Sequence, residues 1–86
     1  MESTREKIQV LIDGIKALRE AAVSSEFQYL YDEEERMLHV SLDLEQDADE
    51  SVYADDQPKE GELLIHTCNG KIVGFSILDT DLGKED

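Results

Sequence analysis

Residues 63–79 read LLIHTCNGKIVGFSILD, and this stretch decides the fold. Two apolar runs flank the pair Asn69 and Gly70, and an Asn-Gly pair in that setting is the strongest short-range signal for a β-hairpin. Gly74 interrupts the second run, and a glycine inside a strand is typical of a bulge, a bend or the close approach of another backbone. We expect Gly74 either to let an N-terminal helix lie against the sheet or to curve the sheet around that helix.

Upstream of this hairpin, the chain begins with a helical pattern. Ser3 and Glu6 have the spacing of a capping box, and we interpret Gly14 as a point of close packing. The apolar residues recur at the three- and four-residue spacing of one helix face. These residues, which we call the apolar stripe, are Ile8, Leu11, Ile12, Ile15, Leu18 and Ala22. The pattern predicts an amphipathic helix within residues 1–25.

The apolar stripe has three alternative uses. It could pack on the protein's own sheet, pair with the same helix of a second subunit, or enter a groove on a different protein. Three heptads are too few to predict a coiled coil. The sequence leaves these alternatives open.

From residue 27 the apolar period changes to two, which is typical of strands. Residues 27–31 (FQYLY) and 38–44 (LHVSLDL) alternate on either side of a charged turn, and they predict a first hairpin. Residues 45–61 are acidic and poor in apolar side chains, so we expect a loop with at most a short edge strand.

These patterns predict one α+β domain, because 86 residues leave room for no more than one. An N-terminal amphipathic helix (residues 1–25) packs on a small antiparallel sheet of two hairpins, about four strands in all. The sheet occupies residues 26–80, and residues 81–86 form a frayed tail.

Charge is the most quantitative feature of the sequence. Eight basic residues stand against 22 acidic ones, which gives a net charge of −14. Residues 1–25 carry four of each sign, so the whole negative excess lies in residues 26–86. Such a surface repels phosphate groups, so we expect neither a nucleic-acid partner nor an anionic membrane. It favours a basic protein partner or cation association, or it serves solubility alone.

The expected location of the protein is the cytoplasm. No apolar stretch approaches the ~20 residues that a membrane span needs. The opening residues MESTREK lack the apolar region of a signal peptide, and the single cysteine excludes an internal disulfide.

Catalysis by a hydrolase or transferase requires a positioned nucleophile and a base. The candidates are Cys68, His39 and His66. Cys68 lies two residues from His66 and so shares its strand face, but no third group that could orient the pair is evident. We interpret Cys68 as a surface thiol, and His39 as a solvated side chain or one paired with a neighbouring acid. The sequence therefore predicts no catalytic residues and a protein that is not an enzyme.

Metal binding has two candidate sets of residues. His66 and Cys68 supply only two zinc ligands, short of the three or four of a protein site. Carboxylates suit hard cations, but the acidic cluster of this chain lacks the EF-hand pattern. That cluster consists of Asp43, Glu45, Asp47, Asp49 and Glu50. We predict weak cation attraction at most, with no dedicated metal site and no cofactor.

Two segments of the chain resemble a known family. Tyr31 begins YDEE, followed at residues 37–42 by MLHVSL, and residues 69–79 read NGKIVGFSILD. Over residues 27–80 this resembles the small prokaryotic family called domain of unknown function 2283. Members share a YDxEADxLYIxL-like opening and a DGxVVGIEILDAS-like close. The resemblance implies an antiparallel sheet and, because some members are encoded beside toxin-like proteins, an antitoxin role; the family pattern contains no catalytic residues.

This chain departs from the family pattern in four places. Arg36 and Met37 replace the usual Ala-Asp pair, and residues 66–68 (HTC) stand where an acidic turn is common. The ending DAS becomes residues 79–81 (DTD), and the N-terminal helix is an addition. These departures bear on any partner that is inferred from the family.

The function that we expect is a non-enzymatic, acidic protein-interaction module, antitoxin-like toward a basic toxin partner. An alternative is a homodimeric structural domain with no ligand, which would use the apolar stripe or an exposed strand edge. A more distant alternative is an enzyme or metal-binding protein that uses Cys68 and His66.

Overall fold

The computed structural model describes residues 3–22, 27–43, 45–55 and 57–82. It confirms the predicted α+β class, with a helical segment packed on an antiparallel sheet. The sheet has five strands in the order β1-β2-β5-β4-β3, one more than predicted. The elements are α1 (Thr4–Gly14), α2 (Lys16–Ala21), β1 (Gln28–Asp32), β2 (Met37–Ser41), β3 (Glu50–Tyr53), β4 (Glu62–Cys68) and β5 (Lys71–Leu78).

The predicted hairpin around residues 69 and 70 is confirmed and forms the middle of the sheet. Asn69 has φ 53° and Gly70 has φ 79°, and positive φ at both turn residues is the requirement of the tight two-residue hairpin turn. β5 pairs with β4 on one side and with β2 on the other, always antiparallel. The hairpin predicted within residues 27–44, β1 with β2, is also present and joins the β4–β5 hairpin through β5.

The fifth strand is the short edge strand expected within residues 45–61. All four residues of β3 are exposed, and β3 pairs only with β4. Gln57 fastens the connection to β4: its Nε2 donates to the carbonyl of Ala54 at 2.7 Å, and its Oε1 accepts from the amide of Leu63 at 2.7 Å. One amide side chain thus closes the loop that follows the edge strand.

The predicted single helix is interrupted at Ile15. This residue is extended, with φ −117° and ψ 114°, so α1 ends at Gly14 and α2 starts at Lys16. The prediction of close packing at Gly14 is wrong, because a Cβ atom built there would meet nothing within 4 Å. Glycine is a weak helix former, and here it ends a helix. Residues 1–2 and 23–25 of the predicted helix lie outside the described residues.

The helical segment covers one face of the sheet. The amide of Glu6 donates to Ser3 Oγ at 3.2 Å, which confirms the predicted N-terminal cap. The guanidinium of Arg5 lies 4.5 Å from the centre of the Phe27 ring and also donates to the Phe27 carbonyl. Most of the apolar stripe is buried against the strands. The buried core residues are Ile8, Leu11, Ile12, Leu18, Phe27, Leu38, Val40, Leu63, Ile65, Phe75 and Ile77.

Gly74 permits the close approach of a neighbouring strand. A Cβ atom at this position would lie 2.6 Å from the carbonyl oxygen of Val40 in β2. The expectation that Gly74 lets the helix lie against the sheet is wrong, because the nearest atoms belong to β2. The alternative, that Gly74 curves the sheet around the helix, stays a prediction. The β4–β5 register also shifts between His66 and Thr67, next to the pairing of His66 with Gly74.

The segment that follows β5 begins in contact with the domain. Asp81 forms a salt bridge of 3.1 Å with Arg36, and Leu82 packs partly buried against the core. Residues 83–86 of the predicted tail lie outside the described part of the chain. Within the described residues, no helix has the length and apolar character to span a membrane.

Candidate functional site

The side chains of the sheet alternate between two faces. In β2, Leu38 and Val40 are buried under the helices, whereas His39 and Ser41 are exposed on the opposite side. We call that opposite side the uncovered face. One row of residues in register crosses it through all five strands. This row is Leu30, His39, Ser76, Leu64 and Tyr53.

Four side chains on the uncovered face form a continuous chain of hydrogen bonds, which we call the Ser–His network. Ser76 Oγ lies 2.7 Å from His39 Nδ1 and 2.7 Å from His66 Nε2. The other ring nitrogen of His66, Nδ1, lies 2.6 Å from Ser51 Oγ. The network therefore joins β2, β5, β4 and β3 by side chains, in addition to the backbone ladder.

Local sequence and register together position these groups. His39 pairs directly with Ser76, and His66 pairs directly with Ser51. His66 reaches Ser76 diagonally, since its own partner in β5 is Gly74, which has no side chain to stand in the way.

The protons of the network can be assigned without leaving any group unsatisfied. A neutral imidazole has one donor and one acceptor nitrogen, and a hydroxyl donates once and accepts twice. If Ser76 donates a hydrogen bond to one ring, it accepts a hydrogen bond from the other. When His66 donates to Ser76, it accepts from Ser51, and when His66 accepts from Ser76, it donates to Ser51. If both histidines were protonated, Ser76 would accept from both rings, and its own proton would have no acceptor within the network. The geometry favours at least one neutral ring.

Burial also favours the neutral form of His66. It lowers the pKa of His66 below the ordinary value of 6.5, and the nearby positive charge of a protonated His39 lowers this pKa further. Burial disfavours the charged form of an imidazole because that form loses its hydration. His66 is therefore neutral at pH 7.

Ser76 is badly placed for nucleophilic catalysis. The residue is only 1% exposed, so a substrate carbon cannot reach its Oγ atom. A catalytic serine also needs a base that a third group orients, and that group is ordinarily a carboxylate. Here the second nitrogen of His66 meets the hydroxyl of Ser51. The network has the residue types of a catalytic site without the access or the orientation.

The candidate pair of Cys68 and His66 is not arranged as a nucleophile and a base. Both ring nitrogens of His66 are occupied by serine hydroxyls, so neither is available to the thiol. Cys68 is a partly buried free cysteine that pairs with Lys71 beside the hairpin turn. His39 is exposed as expected, but its partner is Ser76 and not an acid.

Two of the acidic residues after β2 accept hydrogen bonds from backbone amides. Asp43 Oδ1 accepts from the amide of Glu45 at 3.0 Å, and Asp49 Oδ2 accepts from the amide of Asn69 at 3.2 Å. Among the described residues, no three or more histidine, cysteine, aspartate or glutamate side chains are grouped so that they could hold a metal ion. Asp43 and Asp49 thus stabilise loops.

The uncovered face also carries exposed apolar and acidic side chains. Leu30 in β1 is 69% exposed and Tyr53 in β3 is 61% exposed, so each edge strand presents one large apolar group. Asp32 and Glu62 lie on the same face at the end of β1 and at the start of β4, and both are exposed. This face therefore combines apolar ends, a hydrogen-bonded centre and negative charge.

The sequence pointed to His39 and His66 but not to Ser76 or Ser51. Ser76 follows the polar alternation of its strand, which is the one signal that places it on this face. Its two partners become apparent only from the pairing of β2 with β5 and of β4 with β5.

Comparisons with protein-family models, with curated proteins and with solved structures give no match for this chain.

Proposed function

We propose that this protein is a non-enzymatic, acidic interaction module that binds a positively charged protein partner in the cytoplasm. The observation that carries the proposal is the net charge of −14, with all of the excess in residues 26–86. A charge of this size speeds encounter with a cationic partner and repels nucleic acid and anionic lipid.

In the described structure, most acidic side chains of the sheet and its turns are available to a partner. In the described part of the chain, the one salt bridge joins Arg36 and Asp81, both of which are exposed. The other described acids on the sheet and its turns form no salt bridge with any described lysine or arginine. The last residue of β1 and the start of the turn that follows it, residues 32–35, present four exposed acidic side chains in succession.

A non-enzymatic role is consistent with the Ser–His network. The hydroxyl of Ser76 is inaccessible, and the ring nitrogens of His66 are both engaged. The antitoxin-like version of the proposal, with a basic toxin as partner, rests on the resemblance of residues 27–80 alone.

The homodimer is the weaker candidate. Most of the apolar stripe is covered by the protein's own sheet, which leaves the edges of β1 and β3 as surfaces for self-association. Two copies with a net charge of −14 each also repel one another at low ionic strength. Sedimentation at micromolar concentration distinguishes the two candidates, since a homodimer would not sediment as a single monomer.

The test of the proposal is capture of a basic protein that depends on salt. The immobilised full chain is exposed to native lysate at about 50 mM salt and eluted toward about 500 mM, where screening is nearly complete. Each eluted protein is then purified and its affinity is measured directly. A triple variant, Glu33→Gln with Glu34→Gln and Glu35→Gln, should bind the same partner more weakly and with a smaller salt dependence.

The matched control is Lys7→Gln with Lys16→Gln, which removes positive charge from the helices and should not weaken binding. Recovery of no positively charged protein in the salt-eluted fraction would contradict the proposal.

A further inference from the structure

The uncovered face has the dimensions of a binding surface for a protein segment. Neighbouring strands lie about 4.8 Å apart, so the row from Leu30 to Tyr53 spans about 19 Å across five strands. Its two ends are large, exposed apolar side chains, and Leu64 lies half-buried between them. Both helices pack on the opposite face, so no described helix competes for this row.

The centre of the row can be covered at low cost. Burying a polar atom is unfavourable mainly when it loses its hydrogen bonds to water without replacement. Here His66 and Ser76 already satisfy one another, and His66 Nδ1 is satisfied by Ser51. His39 Nδ1 is bonded to Ser76, so Nε2 of His39 is the one ring nitrogen of the network left for a partner.

The charge on this face selects the kind of partner. Asp32 and Glu62 are exposed beside the apolar row, and neither takes part in the described salt bridge. A second copy of the chain would bring like charges against them, which costs free energy on contact. A segment with lysine or arginine between apolar side chains complements both the acidic groups and the apolar row.

We propose that the uncovered face of the sheet is the docking surface for a positively charged protein segment, with apolar side chains of that segment seated on Leu30 and Tyr53. The inference rests on the proposed function, and it adds the surface and the pattern of the partner. Lysine or arginine side chains of the bound segment then lie toward Asp32 and Glu62.

The experiment uses two synthetic peptides of equal length and charge. One alternates lysine with leucine and the other alternates lysine with serine, and each is titrated into the full chain at low salt. We expect the lysine–leucine peptide to bind about tenfold more tightly, which corresponds to the burial of about one apolar side chain or the partial burial of two. Leu30→Ser and Tyr53→Ser should each remove most of that advantage.

The matched control variant is Val10→Ser. Val10 is 63% exposed, which is close to Leu30 and Tyr53, but it lies on α1 and so on the other side of the domain. Binding of either peptide should be unchanged in this variant. If Val10→Ser weakened binding of the lysine–leucine peptide as much as Leu30→Ser does, the inference would be overturned.

The remaining outcomes separate the inference from the function on which it rests. If both peptides bind with equal affinity and strong salt dependence, the docking surface is wrong and the acidic module stands. If neither binds at low salt, the proposed function fails as well. Amide NMR shifts of the labelled wild-type chain provide a readout without mutations: changes at Leu30, His39 and Tyr53 support the surface, and changes confined to α1 overturn it.

Discussion

The Nε2 atom of His66 lies 2.7 Å from the Oγ atom of Ser76, although the two residues belong to different strands and neither lies in the apolar core. The same hydroxyl also meets His39, so a single serine holds two aromatic rings over the middle of the sheet. A sheet face without a second layer ordinarily leaves such groups to water. Here they satisfy one another, and Ser76 is as buried as the core residues.

Ser76→Ala removes the hydroxyl that both rings share. We expect the free energy of unfolding to fall by about 1–3 kcal/mol, because one ring nitrogen of the half-buried His66 and one of the exposed His39 lose their partner. Urea unfolding at pH 7 measures the change. Ser41→Ala is the matched control, since Ser41 is exposed on the same face, and its effect should stay within about 0.5 kcal/mol. Equal effects of the two substitutions would contradict a supporting role for the network.

The lowered pKa of His66 makes stability depend on pH. The unfolded chain binds a proton at this residue near pH 6.5, whereas the folded chain resists protonation because of burial first and the charge of His39 second. The free energy of unfolding therefore rises with pH. The contribution of His66 is complete above pH 6.5 and is lost as the pH falls from there through the lowered pKa of the folded state.

Urea unfolding of the wild type and of His66→Gln at about pH 7.5 and about pH 5 checks this sign. Carboxylates titrate alike in both proteins, so the difference between them isolates the histidine. The wild type should lose more stability on acidification than the variant does. A variant with an equal or larger loss would show that His66 is not the titrating group.

Gly74→Ala places a methyl group against the backbone of β2. The added Cβ would lie 2.6 Å from the carbonyl oxygen of Val40, so the strands must separate, and we expect a loss of about 1–3 kcal/mol. Gly14→Ala is the control, because nothing lies within 4 Å of a Cβ atom there. That substitution should be neutral or stabilise the protein by up to about 1 kcal/mol. In thermal unfolding, we expect the Tm to fall for Gly74→Ala and to stay unchanged or rise for Gly14→Ala.

Gln57→Ala removes the side chain that closes the loop between β3 and β4. The amide of Leu63 loses its acceptor at 2.7 Å, and we expect a cost of about 1–2 kcal/mol. Hydrogen exchange should accelerate at the Leu63 amide in particular. Gln9→Ala removes a comparable amide from an exposed contact with Asp13 on α1 and should change stability by less than about 0.5 kcal/mol.

Local signals predicted the elements whose partners are near in sequence. Asn69 and Gly70 determine a two-residue turn by their own conformational preferences, and the pairing of β4 with β5 follows from it. The alternation in residues 38–44 likewise predicted which side of β2 is buried, with Leu38 and Val40 inside. These features depend on a few neighbouring residues.

The candidate site depended on pairings between distant segments. His39 and Ser76 are 37 positions apart, and nothing in either strand alone states that β2 lies next to β5. The register shift beside His66 also changes which residues face one another. The apolar periodicity runs across the extended Ile15 to the buried Leu18, so periodicity alone does not reveal the break between the two helices.

The position of β5 has a consequence for how the chain acquires its fold during synthesis. β5 is the last of the five strands along the chain, yet it lies in the middle of the sheet, between β2 and β4. Until it emerges from the ribosome, the β1–β2 hairpin and the β3–β4 hairpin have no strand to join them. Nascent chains that lack β5 would expose unpaired strand edges, and the complete sheet would assemble only after translation of its central strand.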